Sequence, residues 1–110
     1  MERKRFEQLV EEALAQLPAG LRAKLENIAV LVEDAPRRGH GKRLLGVFQG
    51  VPRTKKSVFE ATPPARIILY QKNIEAICRS DAEIREQVRL TVWHEFGHYF
   101  GLSEEELQHL

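Results

Sequence analysis

Apolar residues in this chain keep a helical period at both ends and lose it in between, and that order limits the fold more than any other feature. Phe6, Leu9, Val10, Ala13, Leu14 and Leu17 recur at three- and four-residue steps, which predicts an amphipathic helix over about residues 3–17. Pro18 and Gly20 are expected to stop it, with "LRAKLENI" adding a further helical turn. Three short apolar runs follow. "IAVLVEDAP" (28–36) is rich in β-branched residues and closed by Pro36, so it reads as a buried strand. "LLGVFQGVP" (44–52) has glycines inside it and a proline that cannot donate to a ladder, which suits a sheet edge or a bulge. "ARIILYQ" (65–71) is the third strand and the most apolar.

"KNIEAICRS" (72–80) then predicts a short helix, and a longer one follows. Ser80 with Glu83 three positions on is a capping-box pattern, and the helical period continues to about Phe100. Gly101 provides the stop, and Ser103 with Glu106 repeats the capping pattern for a last turn or two. The order is helix, three strands, then helices. That is an α+β fold rather than regularly alternating βαβ units.

With 110 residues and no internal repeats or linkers, one domain spanning 1–110 is expected. The single cysteine, Cys78, excludes an internal disulfide framework and fits a reducing compartment. Its apolar neighbours Ile74 and Ile77 mark it as a buried structural thiol. The opening "MERKRFEQLVEEALAQLP" has basic residues but no apolar stretch behind them, so it does not read as a signal peptide. No apolar run approaches the roughly 20 residues of a membrane helix. A soluble cytoplasmic chain with no membrane partner is therefore expected. Residues 35–59 hold seven bases and no acid, yet no stacking aromatics interleave them. They read as solvated loop charge, and nucleic acid is not an expected partner.

The chemistry concentrates in "TVWHEFGHYFGLSEEELQHL", residues 91–110. Each helical residue advances about 100°, so His94 and His98 project side by side, about 40° apart. Two imidazoles so placed suit one zinc ion, whose nitrogen ligands sit at about 2.0–2.1 Å. Glu95 lies about 60° round from His98, poorly placed to ligate but able to reach a water beside the ion. A carboxylate there can take that water's proton and pass it to a leaving amine. The bland alternative is a surface helix with two solvated histidines; the H-E-x-x-H pattern in its required helical context argues against it.

Catalytic zinc usually takes three protein ligands, and only 12 residues follow His98. Gly101 permits a sharp turn after the helix, and six residues past His98 stands Glu104. With 14 Glu in the chain, Glu105 stands beside it; Glu105, His109 or a water remain open alternatives to Glu104. Tyr70, His40 and the loop arginines are the candidates for stabilising the oxyanion that hydrolysis develops.

"HEFGHYFGLSE" resembles the zincin metallopeptidases, of the form H-E-x-x-H-x-x-G-x-x-(H/D), close to the metzincins and Asp-zincins. More narrowly, the whole chain resembles a small bacterial "possible zinc metallopeptidase" family with a minimal zincin-like fold. "VLVEDAP", "LLGVFQGVP", "RIILYQ" and "ICRS" ahead of the last helix match its layout. The resemblance implies a small twisted sheet of about three strands packed on an active-site helix, with an edge strand beside the cleft. It implies zinc held by His94, His98 and Glu104, and Glu95 as general base. Two departures stand out: Glu replaces the usual His or Asp at the third ligand position, and the only methionine is Met1, so a metzincin Met-turn is absent.

The function this implies is a zinc-dependent peptidase acting on extended peptide or unfolded protein, with residues 45–51 lining the cleft as an edge open to strand addition. The rival from another class is a zinc-binding interaction or structural module without useful turnover. Retention of Glu95 argues for the peptidase, because a purely structural site has no use for a base.

Overall fold

The computed structural model describes residues 1–25, 28–37, 44–50 and 65–99, with Lys24 and His98 described by backbone alone. The elements are helices α1 (Arg3–Ala15) and α2 (Ala19–Leu25), strands β1 (Ala29–Glu33), β2 (Gly46–Gln49) and β3 (Arg66–Tyr70), and helices α3 (Gln71–Ala76) and α4 (Asp81–Tyr99). The class is α+β, as the change of apolar period requires. None of the described helices is long and apolar enough to cross a membrane.

The sheet has strand order β1-β3-β2. β3 pairs parallel with β1, Leu31 opposite Ile68, and antiparallel with β2, Phe48 opposite Ile67. β3 takes the centre because its apolar run is continuous: Ile67, Ile68, Leu69 and Tyr70 are all buried, on both faces of the sheet. β1 is a correction to the sequence reading. It is an edge strand whose residues alternate between exposed and half-buried, with Leu31 exposed and Val30 and Val32 turned to the core. Its β-branched composition serves the pleat, and the alternating pattern decides the burial.

One layer of helix covers one face of the sheet. Phe6, Leu9, Val10 and Ala13 of α1 meet Ile84, Val88, Val92 and Phe96 of α4 and the Ile67–Leu69 side of β3 in a single core. Outside that core, Arg85 of α4 donates to the Glu12 carboxylate at 2.7 Å, an exposed pair worth at most about 1 kcal/mol. α1 ends two residues earlier than its apolar pattern, although Leu17 beyond it is still buried. Gly20 is no stop. It lies inside α2, whose first turn closes onto the Pro18 carbonyl through Leu21 and Arg22. Cys78 is half-buried against the core rather than enclosed by it, and burial, with the Glu83 carboxylate adding to it, pushes its thiol pKa up.

Among the described strands β2 is the other edge, as its glycines suggest, and it is tied just ahead of its first residue. Buried Asn73 on α3 donates its side-chain amide to Leu44 O at 2.7 Å just ahead of the strand. Tyr70 N donates to Leu45 O at 2.9 Å. Since backbone groups alternate inward and outward along an antiparallel pair, Gly46 and Phe48 turn theirs away from β3, to the outer edge. At Gly46 a side chain has no room: a Cβ there would stand 2.8 Å from Thr91 Cγ2 and 3.0 Å from Ile68 O. The missing side chain lets the strand lie directly on α4.

Gly46→Ala is therefore expected to cost about 1–3 kcal/mol, as overpacking does. The measurement is the urea midpoint at unchanged denaturant slope. Adding Thr91→Ser, which deletes the crowding methyl, should recover part of the loss.

Candidate metal centre

α4 begins at a well-made cap. Ser80 Oγ accepts from Glu83 N at 3.1 Å, while the Glu83 carboxylate reaches back to Arg79 N at 2.7 Å, one residue earlier than a standard capping box. Ile84, Val88, Val92 and Phe96, spaced four apart, are buried to 6% exposure or less and fix the helix's rotation. Measured from Val92, His94 lies about 160° round the axis and Glu95 about 60°. The rotation that seats the core thus sends His94 to the exposed face and places half-buried Glu95 at the boundary between core and solvent.

The edge strand meets Glu95 at that boundary. Phe48 N, turned outward from the sheet, donates to Glu95 Oε2 at 3.1 Å. One turn earlier on α4, Thr91 lies against Gly46; one turn later, Tyr99 stacks on the Phe48 ring with centroids 4.4 Å apart and planes at 26°. The spacing explains the fit. Two strand residues span about 6.8 Å and four helical residues about 6 Å, so Gly46 and Phe48 keep step with Thr91 and Glu95. Thr91 is buried, and its hydroxyl accepts from Gln87 Nε2 at 3.2 Å, which leaves its methyl against the glycine.

His98 occupies the α4 position one turn beyond His94. Its side chain, with Glu104, Glu105, His109 and Gly101, lies outside the described residues, as do His40 and every base of the 35–59 stretch except Arg37. Among the described residues no three His, Cys, Asp or Glu side chains gather closely enough to hold a metal ion. What the described part offers is one exposed imidazole and, next to it in sequence, a half-buried carboxylate that accepts a hydrogen bond from a backbone N–H of the edge strand. An imidazole exposed on the helix fits the donor chemistry of a zinc ion.

Tyr70 does not join this site. It shares the parity of Ile68 on β3, opposite to Ile67 and Leu69, and so faces away from α4. Burial, followed by the nearby Glu33 carboxylate, raises its hydroxyl pKa. Further up α4 the Arg89 guanidinium covers the Trp93 ring at 5.0 Å and donates to Glu86, a hydrogen bond that holds the Glu86 carboxyl below its ordinary range. Sequence reasoning does not find the Phe48 N–H, the Gly46–Thr91 contact or the Phe48–Tyr99 stack. The only signal for them is G-x-F in an edge strand, which marks a close approach without saying to what.

Three comparisons bear on this arrangement. The profile of the family described as "Zincin-like metallopeptidase" matches residues 25–110, which include β1–β3 and α4. A solved structure of a conserved hypothetical protein from T. thermophilus is similar with a TM-score of 0.64 at 23% identity, covering 91% of this chain and 94% of that one. At that identity the likeness speaks for the fold alone. No curated protein matches the chain significantly.

The Phe48–Tyr99 stack should appear as a coupling of about 0.5–1.5 kcal/mol in a double-mutant cycle with Phe48→Leu and Tyr99→Leu. Urea unfolding of the four proteins measures it, and strictly additive losses would mean that the rings do not interact.

Proposed function

Because the chain belongs to the zincin-like metallopeptidase family, we propose that it is a zinc-dependent peptidase in which His94, His98 and Glu104 hold the ion and Glu95 moves the proton. The reaction is hydrolysis of a peptide bond in an extended peptide or unfolded segment. When bound, the ion supplies Lewis acidity, which makes water a stronger acid and a carbonyl a better electrophile. Glu95 takes a proton from the attacking water as its oxygen bonds to the carbonyl carbon. It then hands that proton to the amide nitrogen as the C–N bond breaks. The observation that supports this most directly is the hold on Glu95. Phe48 N–H fixes the carboxylate beside the exposed helix face that carries His94, with the outer edge of β2 alongside. An edge strand next to a catalytic helix also suits a substrate bound in extended form.

One observation favours a second reading, a zinc-binding structural module without useful turnover. Glu95 satisfies an edge-strand N–H, so its presence no longer requires a catalytic use. The two readings part on a single residue. In the peptidase, Glu95→Gln keeps bound zinc and loses peptide hydrolysis by roughly 10²–10⁴-fold, the usual weight of a general base. In the structural module, zinc-loaded wild type and Glu95→Gln show equally little hydrolysis, and a chelator lowers the melting temperature sharply. His94→Ala should lose zinc on either reading, measured as metal per chain after dialysis.

A further inference from the structure

The Phe48 N–H has two claimants. It belongs to the outward-facing row of β2, where an added strand would find its donors, and it is already given to Glu95 Oε2 at 3.1 Å. Gly46, the other outward-facing residue of the strand, has its Cα pressed toward Thr91, with a Cβ position only 2.8 Å from that side chain. Along Gly46–Gln49, then, the edge is not a bare template. Its Phe48 donor is capped by a carboxylate from the same chain, which also blunts the edge against unwanted pairing. An N–H donates one strong hydrogen bond at a time, so an incoming peptide carbonyl and Glu95 compete for it.

We propose that the Phe48 N–H is an exchangeable latch: it holds Glu95 while the edge is empty, and an extended peptide docking on β2 takes the N–H with a backbone carbonyl and releases the Glu95 carboxylate. Only an oxygen acceptor on the peptide is needed, so the contact reads extended backbone and not side-chain identity. It makes the freeing of the base depend on the presence of a peptide strand. Phe48 is well built for this. Its ring is pinned on Tyr99, 4.4 Å away, so the strand need not move when the hydrogen bond changes hands. The inference rests on the edge-strand binding in the proposed function, but it concerns one donor and does not require turnover.

Amide hydrogen exchange followed by ¹⁵N NMR on the full-length, metal-free protein tests it, with oxidised insulin B chain as the extended peptide. The Phe48 amide should be protected in the wild type and exchange about five- to tenfold faster in Glu95→Ala, the worth of one modest hydrogen bond. Glu95→Gln, which keeps an oxygen acceptor and the shape of the side chain, should stay partly protected and guards against a folding defect in the alanine variant. Adding insulin B chain to Glu95→Ala should restore protection at Phe48. Continued fast exchange there despite bound peptide, protection in Glu95→Ala without peptide, or no binding at all would each overturn the latch. Hydrolysis by the zinc-loaded wild type is read separately. Peptide seated at Phe48 without cleavage leaves the latch standing and removes the peptidase, whereas cleavage with Phe48 unaffected does the reverse.

Discussion

The docking of β2 onto α4 is the constraint from which the rest of the arrangement follows. Gly46 removes the atoms that would hold strand and helix apart, and the commensurate spacing of strand and helix then delivers Phe48 N–H to Glu95 and its ring to Tyr99. The frame behind this contact is β3, whose unbroken apolar run occupies the sheet centre and shows Ile67 and Leu69 to the helices. α4 is rotated by its own four-residue repeat of Ile84, Val88, Val92 and Phe96. Burial at one side of that helix thereby determines what stands at the other.

Glu95 answers two demands at once. A carboxylate oxygen satisfies a backbone donor that would otherwise be left at a partly buried strand edge, a lapse that costs about 1–3 kcal/mol where water is excluded. The same contact holds the side chain against the outer edge of β2. In the proposed peptidase this distinguishes a base from a ligand although both residues sit next to each other in sequence. The stabilising role and the proposed chemical role thus fall to the same carboxylate, which the latch lets serve them in turn.

Local patterns are legible in the sequence, and pairings between distant segments are not. The α+β class, the cap at Ser80, the edge placement of β2 and the helix beneath H-E-x-x-H can all be read from spacing and residue type. β1 misleads because a β-branched run looks alike in a central strand and at an edge; its neighbours settle the matter, and those are chosen by chain topology. Gly20 reads as a stop because glycine tolerates left-handed backbone, but nothing at that position requires such a conformation, and it continues as helix. The partner of Glu95 is invisible because a backbone N–H has no residue identity. Any side chain at position 48 except proline presents the same donor.

X-ray absorption at the zinc edge of the metal-loaded protein tests the central claim most directly, since it reports the donors around the ion without reference to turnover. The account predicts two imidazole nitrogens at about 2.0–2.1 Å with oxygen donors completing the shell. It also predicts the outer-ring scattering of two imidazoles in the wild type and no stoichiometric zinc in His94→Ala. Stoichiometric zinc whose spectrum contains no imidazole, or stoichiometric zinc retained by His94→Ala, would contradict it.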